Sequence, residues 1–278
     1  MATRPTIKPL GDALGGEVSG IELSRTPDDA TLAWIEDALD THQVLVFRDQ
    51  DLDAPALAAF GRLFGTPRPH ALERYRHPGH ADVSYIRNVD DAGNIDPFGQ
   101  VRATTWHADA TYEAALPRLA ILHALEIPSS GGGTWFANMC AAYDGLPRGT
   151  RQRLGSLVGL HGYATGPAGS YYEGQLNAHQ DYPEQRRPAV MQHPRTDRPI
   201  LFVNPMHVHG FVGMDPAEAR ELVEALAAHS VQDRFTYHHA WRAGDVVMWD
   251  ECATMHRGAG DSAPGERRVL LRTIVYPD

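Results

Sequence analysis

The 278 residues contain only two cysteines, Cys140 and Cys252, and no C-x-x-C spacing. That disfavours a disulfide scaffold and a cysteine-based zinc site, and it fits two reduced thiols in a cytoplasmic protein. Long apolar runs are missing too. No stretch approaches the roughly 20 residues of a membrane span. Nothing after Met1-Ala2-Thr3-Arg4-Pro5-Thr6 forms the apolar core of an export signal, so neither a membrane nor export is expected. Basic residues are outnumbered, 25 Lys and Arg against 35 Asp and Glu, for a formal net charge of −10. A nucleic-acid partner is therefore not expected, because phosphate binding needs clustered cations. A small anionic substrate stays compatible, since a few local arginines suffice.

What is present is a succession of short apolar runs. Strands are expected within 8–23 and at about 44–47, 119–127, 158–163, 190–193, 200–203, 234–239, 245–249 and 268–276. Pro128 to Gly133 makes a tight turn into Thr134-Trp135-Phe136-Ala137. Helices are expected at about 28–41, 54–64, 139–146, 148–155 and 215–229, the last begun by Asp215-Pro216. Residues 66–103 and 165–187 read as lid or insert loops. Asp90 to Asp96 faintly suggests a calcium loop, but Val101 stands where the closing Glu belongs, and the segment reads as a turn. No βαβ alternation is visible, which argues against a Rossmann fold. The expected fold is mainly β with added helices, a double-stranded β-helix (jelly roll), as one domain over residues 1–278.

The chemistry concentrates in Thr104-Thr105-Trp106-His107-Ala108-Asp109-Ala110-Thr111-Tyr112. Read as a short strand, this stretch puts His107 and Asp109 on one face. An imidazole and a carboxylate side by side hold one side of a divalent metal. A second imidazole would complete the set of two His and one carboxylate that leaves three metal positions open, and His256 is the candidate. A rival pair is His207 and His209, which also share a face but lack a carboxylate partner. His238 and His239 would point to opposite faces of a strand. Cys252, four residues before His256, is expected near the metal and open to oxidation.

Trp106-His107-Ala108-Asp109, the Gly-Gly-Gly-Thr turn ending at Thr134, Trp249-Asp250 and His256 follow one another in an order that resembles the Fe(II)/2-oxoglutarate dioxygenases of the taurine dioxygenase (TauD/TfdA) family. Leu14-Gly15-Gly16-Glu17-Val18-Ser19-Gly20-Ile21, Val203-Asn204-Pro205 and Gly213-Met214 extend the resemblance nearly end to end. The resemblance implies His107, Asp109 and His256 as catalytic metal ligands, with Fe(II), 2-oxoglutarate as cosubstrate, and O2. It assigns the distal carboxylate of 2-oxoglutarate to Thr134 and Arg268. Arg272, four residues on, would share a face with Arg268 and lie near the cosubstrate or a substrate anion; His70 would contact substrate. The implied reaction oxidises, most often hydroxylates, a small anionic molecule and forms succinate and CO2. Two features depart from the family pattern: Glu251 stands where Asn usually follows Trp-Asp, and the segment after His256 is one residue longer, which makes Arg267 a competitor of Arg268. Two other readings stay open at this point. One is a cupin-like enzyme using His207 and His209, and the other a non-catalytic module binding an anion through Arg268 and Arg272. The expected partner is a small molecule, with a homo-oligomer allowed for.

Overall fold

Strands buried on both faces read as continuous apolar runs, and three such runs form the centre of the molecule. Val44–Phe47, Val246–Asp250 and Leu119–Glu126 lie side by side and antiparallel. Val269–Tyr276, His80–Arg87 and Arg76–His77 extend them on one side, Gly16–Ser19 and Thr6–Pro9 on the other. Thr66–Pro67 adds to Val269–Tyr276 and completes a nine-stranded sheet. The computed structural model describes residues 4–90, 92–101, 103–168 and 182–278.

Alternation decides which side of the large sheet each residue serves. Leu45, Phe47, Ile121, Val246 and Met248 face outward, where Ile35 and Leu39 of helix Asp29–His42 and Leu57 and Phe60 of helix Ala54–Gly61 cover them. Both helices begin on a capping aspartate: Asp28 accepts from the Thr31 amide at 2.8 Å and Asp53 from that of Ala56 at 2.9 Å. Val44, Val46, Leu122, Val247, Trp249 and Leu270 face the other way and pack against Phe136. Phe136 belongs to a second sheet, ordered Thr236–His239, Thr134–Asn138, Thr254–Gly258. The two sheets enclose the inner core of a jelly roll. A third apolar cluster lies beside it, between helix Pro216–Ser230 and a small sheet of Gln185–Pro188, Val158–His161 and Val208–Phe211.

Three local expectations fail and one strand goes unexpected, each for a physical reason. Residues 66–103 are not a plain loop, because His80–Arg87 is a strand of the large sheet and Pro97–Val101 a short helix. Only Val83 and Ser84 of that strand are fully covered, so its sequence carries no period-two apolar signal. Of the insert expected at 165–187, residues 169–181 lie outside the described residues. Its end is an edge strand, Gln185–Pro188, whose pairing with Val158–His161 needs no apolar side chain. Thr254–Gly258, which carries His256, is buried at Thr254, Met255 and His256 in succession and so shows no alternation. Finally, 104–112 is not a strand. It makes a single antiparallel bridge at His107 and then turns.

Candidate active site

That single bridge builds the site. The His107 amide donates to the His256 carbonyl at 3.0 Å and the His256 amide to the His107 carbonyl at 2.7 Å, which docks the segment on the free edge of Thr254–Gly258. The two imidazoles come to 4.3 Å between centroids. The chain then turns at Asp109, with Ala110 at φ 54°, and Asp109 Oδ1 lies 3.5 Å from His107 Nε2. One ligand atom from each of His107, Asp109 and His256 lies within 4.8 Å of the others. Neighbouring positions around a metal with bonds of about 2.1 Å lie about 3 Å apart, so these three side chains could close on one ion.

The hydrogen bonds favour that use. His107 Nδ1 sits 2.6 Å from the Thr105 carbonyl, which can only accept. Nδ1 therefore carries the proton and Nε2 presents its lone pair toward Asp109. Burial, then His107, pulls the His256 imidazole well below its usual range, which keeps it neutral. Burial alone would raise the Asp109 carboxyl; the Arg272 guanidinium beside it outweighs burial and holds it well below the usual range. Arg272 Nη1 donates to Asp109 Oδ2 at 2.9 Å. Glu251, where an Asn was expected, is buried, and its Oε2 accepts the Asp109 amide at 3.0 Å. Burial, then the Asp109 charge, pushes the Glu251 carboxyl well above the usual range, so the substitution keeps the acceptor without adding a second anion.

A second group of ligand-type atoms, from Asp40, His193 and Asp250, has the opposite character. His193 Nδ1 accepts the amides of Arg195 at 3.2 Å and Thr196 at 3.1 Å, so Nε2 is protonated and donates to Asp250 Oδ2 at 2.9 Å. Asp40 is engaged by Arg195. No lone pair on His193 is left for a metal, and the group is a strut behind the turn that leads to Thr254–Gly258.

A cleft opens on His107 and Asp109, lined among others by His70, Tyr112, Tyr163, His207 and Arg272. An adjoining cavity, bounded by Gly132, Gly133 and Arg268, shares Ile86 with it. Arg268 turns inward: its Nε donates to the Gly132 carbonyl at 2.7 Å and its Nη2 lies 3.5 Å from Thr134 Oγ1. Arg267 faces out in a two-pronged pair with Glu126, at 2.6 and 3.0 Å. His70 reaches the cleft, with Nδ1 accepting the Leu72 amide at 3.0 Å.

His207 and His209 part company. His207 lines the cleft as a neutral imidazole, pulled to about 3 by burial and then by His107. His209 bonds Glu184 and Thr165 at the surface. Among the described residues they belong to no group able to hold a metal. Cys252 does not line the cleft; its thiol donates to the Pro117 carbonyl at 3.6 Å, and burial pushes it up, away from reactive thiolate. Sequence reasoning missed Glu113, Arg68 and Tyr276 in the cleft wall, where the Tyr276 hydroxyl donates to Glu113 at 2.9 Å. They come from three separate segments and carry no local pattern.

Comparison with known proteins places the whole chain among relatives of one kind. The chain is 33% identical over 285 residues to pentalenolactone F synthase of Streptomyces avermitilis, covering 96% of this chain and 92% of that one. It is 33% identical to the alpha-ketoglutarate-dependent 2,4-dichlorophenoxyacetate dioxygenase of Cupriavidus pinatubonensis, covering 97% of each. Among solved structures, AAD-2 in complex with Mn(II) and N-oxalylglycine superposes with a TM-score of 0.86 at 27% identity, over 99% of this chain and 98% of that one. A taurine dioxygenase from Burkholderia xenovorans gives 0.82 at 30% identity, over 99% and 90%. The sequence model of the taurine catabolism dioxygenase TauD, TfdA family matches residues 6–274, and the chain belongs to that family.

Proposed function

We propose that His107, Asp109 and His256 hold the Fe(II) of a 2-oxoglutarate-dependent dioxygenase, and that the cleft beside them takes a small organic anion. The observation that carries the reading is the convergence of two buried imidazoles and one partly buried carboxylate within 4.8 Å, with the His107 lone pair fixed toward the shared point. When bound, Fe(II) with 2-oxoglutarate and O2 supplies the oxidising chemistry, and the cosubstrate leaves as succinate and CO2.

The chain's own residues orient and exclude. Arg272 engages Asp109 Oδ2 and leaves Oδ1, beside His107 Nε2, as the oxygen for the ion. Thr134 and Arg268 hold the distal carboxylate of the cosubstrate, for which a guanidinium fork suits better than an ammonium. Relatives named for dichlorophenoxyacetate, phenoxypropionate and sulfate esters support an anionic substrate, as does Arg272 lining the cleft. His70 is the other proposed substrate contact. The family match over residues 6–274 supports one catalytic domain. The net charge of −10 and two free cysteines support a cytoplasmic enzyme without a nucleic-acid partner.

The test is succinate formation from 2-oxoglutarate with Fe(II) and ascorbate across a panel of small carboxylates, sulfonates and sulfate esters. His107→Ala should abolish it and His207→Ala should retain it; the reverse pattern would overturn the reading. With a substrate in hand, Arg272→Ala should raise the KM for that substrate more than the KM for 2-oxoglutarate. An unchanged substrate KM would defeat the anionic assignment.

A further inference from the structure

The Thr134 hydroxyl has one proton and two acceptor directions. The Trp241 indole N–H, which can only donate, points at Thr134 Oγ1 from 2.9 Å, and both residues are buried. Arg268 Nη2, also only a donor, faces the same oxygen from 3.5 Å. With donors on both acceptor directions, the hydroxyl proton must leave along the remaining one, and no acceptor among the described residues takes it. A side chain that elsewhere rotates between donating and accepting is here set as a donor.

The indole that sets it is held in turn. His239 stands opposite Thr134 in the strand register, and Trp241 follows two residues later. The His239 ring lies edge-on to Trp241, with centroids 4.6 Å apart at 88°. That ring is clamped at both nitrogens, by the Tyr237 hydroxyl at 3.0 Å and by Asp245 at 3.1 Å. Asp245 itself takes Arg48 at 2.5 Å and the Arg242 amide at 2.7 Å. A chain of contacts thus runs from half-buried Arg48 through buried Asp245, His239 and Trp241 to Thr134.

We propose that Trp241 is a positioning residue for the cosubstrate, presetting the Thr134 hydroxyl to donate to the distal carboxylate of 2-oxoglutarate. The proposal rests on the reading of the Thr134 and Arg268 pocket given above. A preset donor spares the hydroxyl a rotation on binding and prevents it from turning its proton away from the carboxylate. Trp241 lines neither the cleft nor the adjoining cavity and would act through Thr134.

Calorimetric titration of the Mn(II)-loaded protein with 2-oxoglutarate, and with 2-oxovalerate, which lacks the distal carboxylate, separates this role from simple packing. Trp241→Phe should weaken 2-oxoglutarate by roughly three- to tenfold, the scale of one hydrogen bond, and leave 2-oxovalerate unchanged. In a Thr134→Val background the same substitution should have no further effect on 2-oxoglutarate. Benzothienylalanine at position 241 keeps the ring shape and removes only the N–H, so it gives the same test without a cavity if Trp241→Phe does not fold. Equal weakening of both ligands, or an undiminished effect in the Thr134→Val background, would overturn the role of Trp241. Unchanged 2-oxoglutarate binding in Arg268→Ala would overturn the pocket reading itself, which is a separate result.

Discussion

Arg267 and Arg268 are adjacent in sequence and have opposite fates. Sequence spacing alone left the choice between them open, because one extra residue after His256 shifts the register. The structure separates them. Arg268, just before strand Val269–Tyr276, turns inward and meets Gly132 and Thr134, while Arg267 reaches Glu126 in solvent. Arg268→Ala should therefore raise the 2-oxoglutarate concentration needed for half-maximal succinate formation steeply. Loss of a charged, forked partner to a desolvated carboxylate costs about 2–5 kcal/mol. Arg267→Ala, which removes an exposed pair worth no more than about 1 kcal/mol, should leave it near wild type. A large effect of Arg267→Ala alone would show that the register assigned here is wrong. That His107, Asp109 and His256 come together was legible, because residue types and order carry the signal. Glu113, Arg68 and Tyr276 were not, since a cleft wall assembled from distant segments has no local pattern.

Among the elements, the glycine turn before Thr134 does the most positioning. Gly131 and Gly132 lie at φ 69° and 71°, a region L-residues enter only at a cost, and a Cβ on Gly131 would collide with the Asp261 carbonyl oxygen. Those φ values aim the Gly132 carbonyl at Arg268 Nε. Gly131→Ala should lower stability in urea by at least about 1–2 kcal/mol and weaken 2-oxoglutarate binding with it. Wild-type stability in that variant would mean that the turn is not under this constraint. The helices and buried strands were readable from period and capping. The strand Thr254–Gly258 was not, because burial on three successive residues erases the alternation that marks a strand. The HxD segment misled in the other direction: it alternates like a strand but makes one bridge at His107 before the chain turns at Asp109.

For the molecule as a whole, folding buries imidazoles that must stay neutral. His161 is fully covered and bonded to the Thr111 hydroxyl at 3.1 Å; burial, then Arg187 and His209, pulls it to about 3 from 6.5. In the unfolded chain it takes up a proton near 6.5, whereas the folded chain resists until about 3. Acid therefore favours unfolding: this stability is present above the unfolded value and is lost as pH falls toward the folded one. The slope is about 1.4 kcal/mol per pH unit for one such group. His161→Gln should flatten urea-unfolding free energy against pH by about that slope between roughly pH 6 and pH 4.5. Parallel curves for variant and wild type would contradict it. The jelly roll itself was legible from many short strands without βαβ alternation, together with the motif order.

The central claim is that one metal ion binds where the bridge at His107 brings His107, Asp109 and His256 together. Its most direct measurement is a Mn(II) titration followed by electron paramagnetic resonance of the free ion, on wild type and on His107→Ala, Asp109→Ala, His256→Ala and His207→Ala. The account expects one site per wild-type chain, a loss of affinity of at least about tenfold in each of the first three variants, and wild-type binding in His207→Ala. Undiminished binding in any of the three, or its loss in His207→Ala alone, would contradict it.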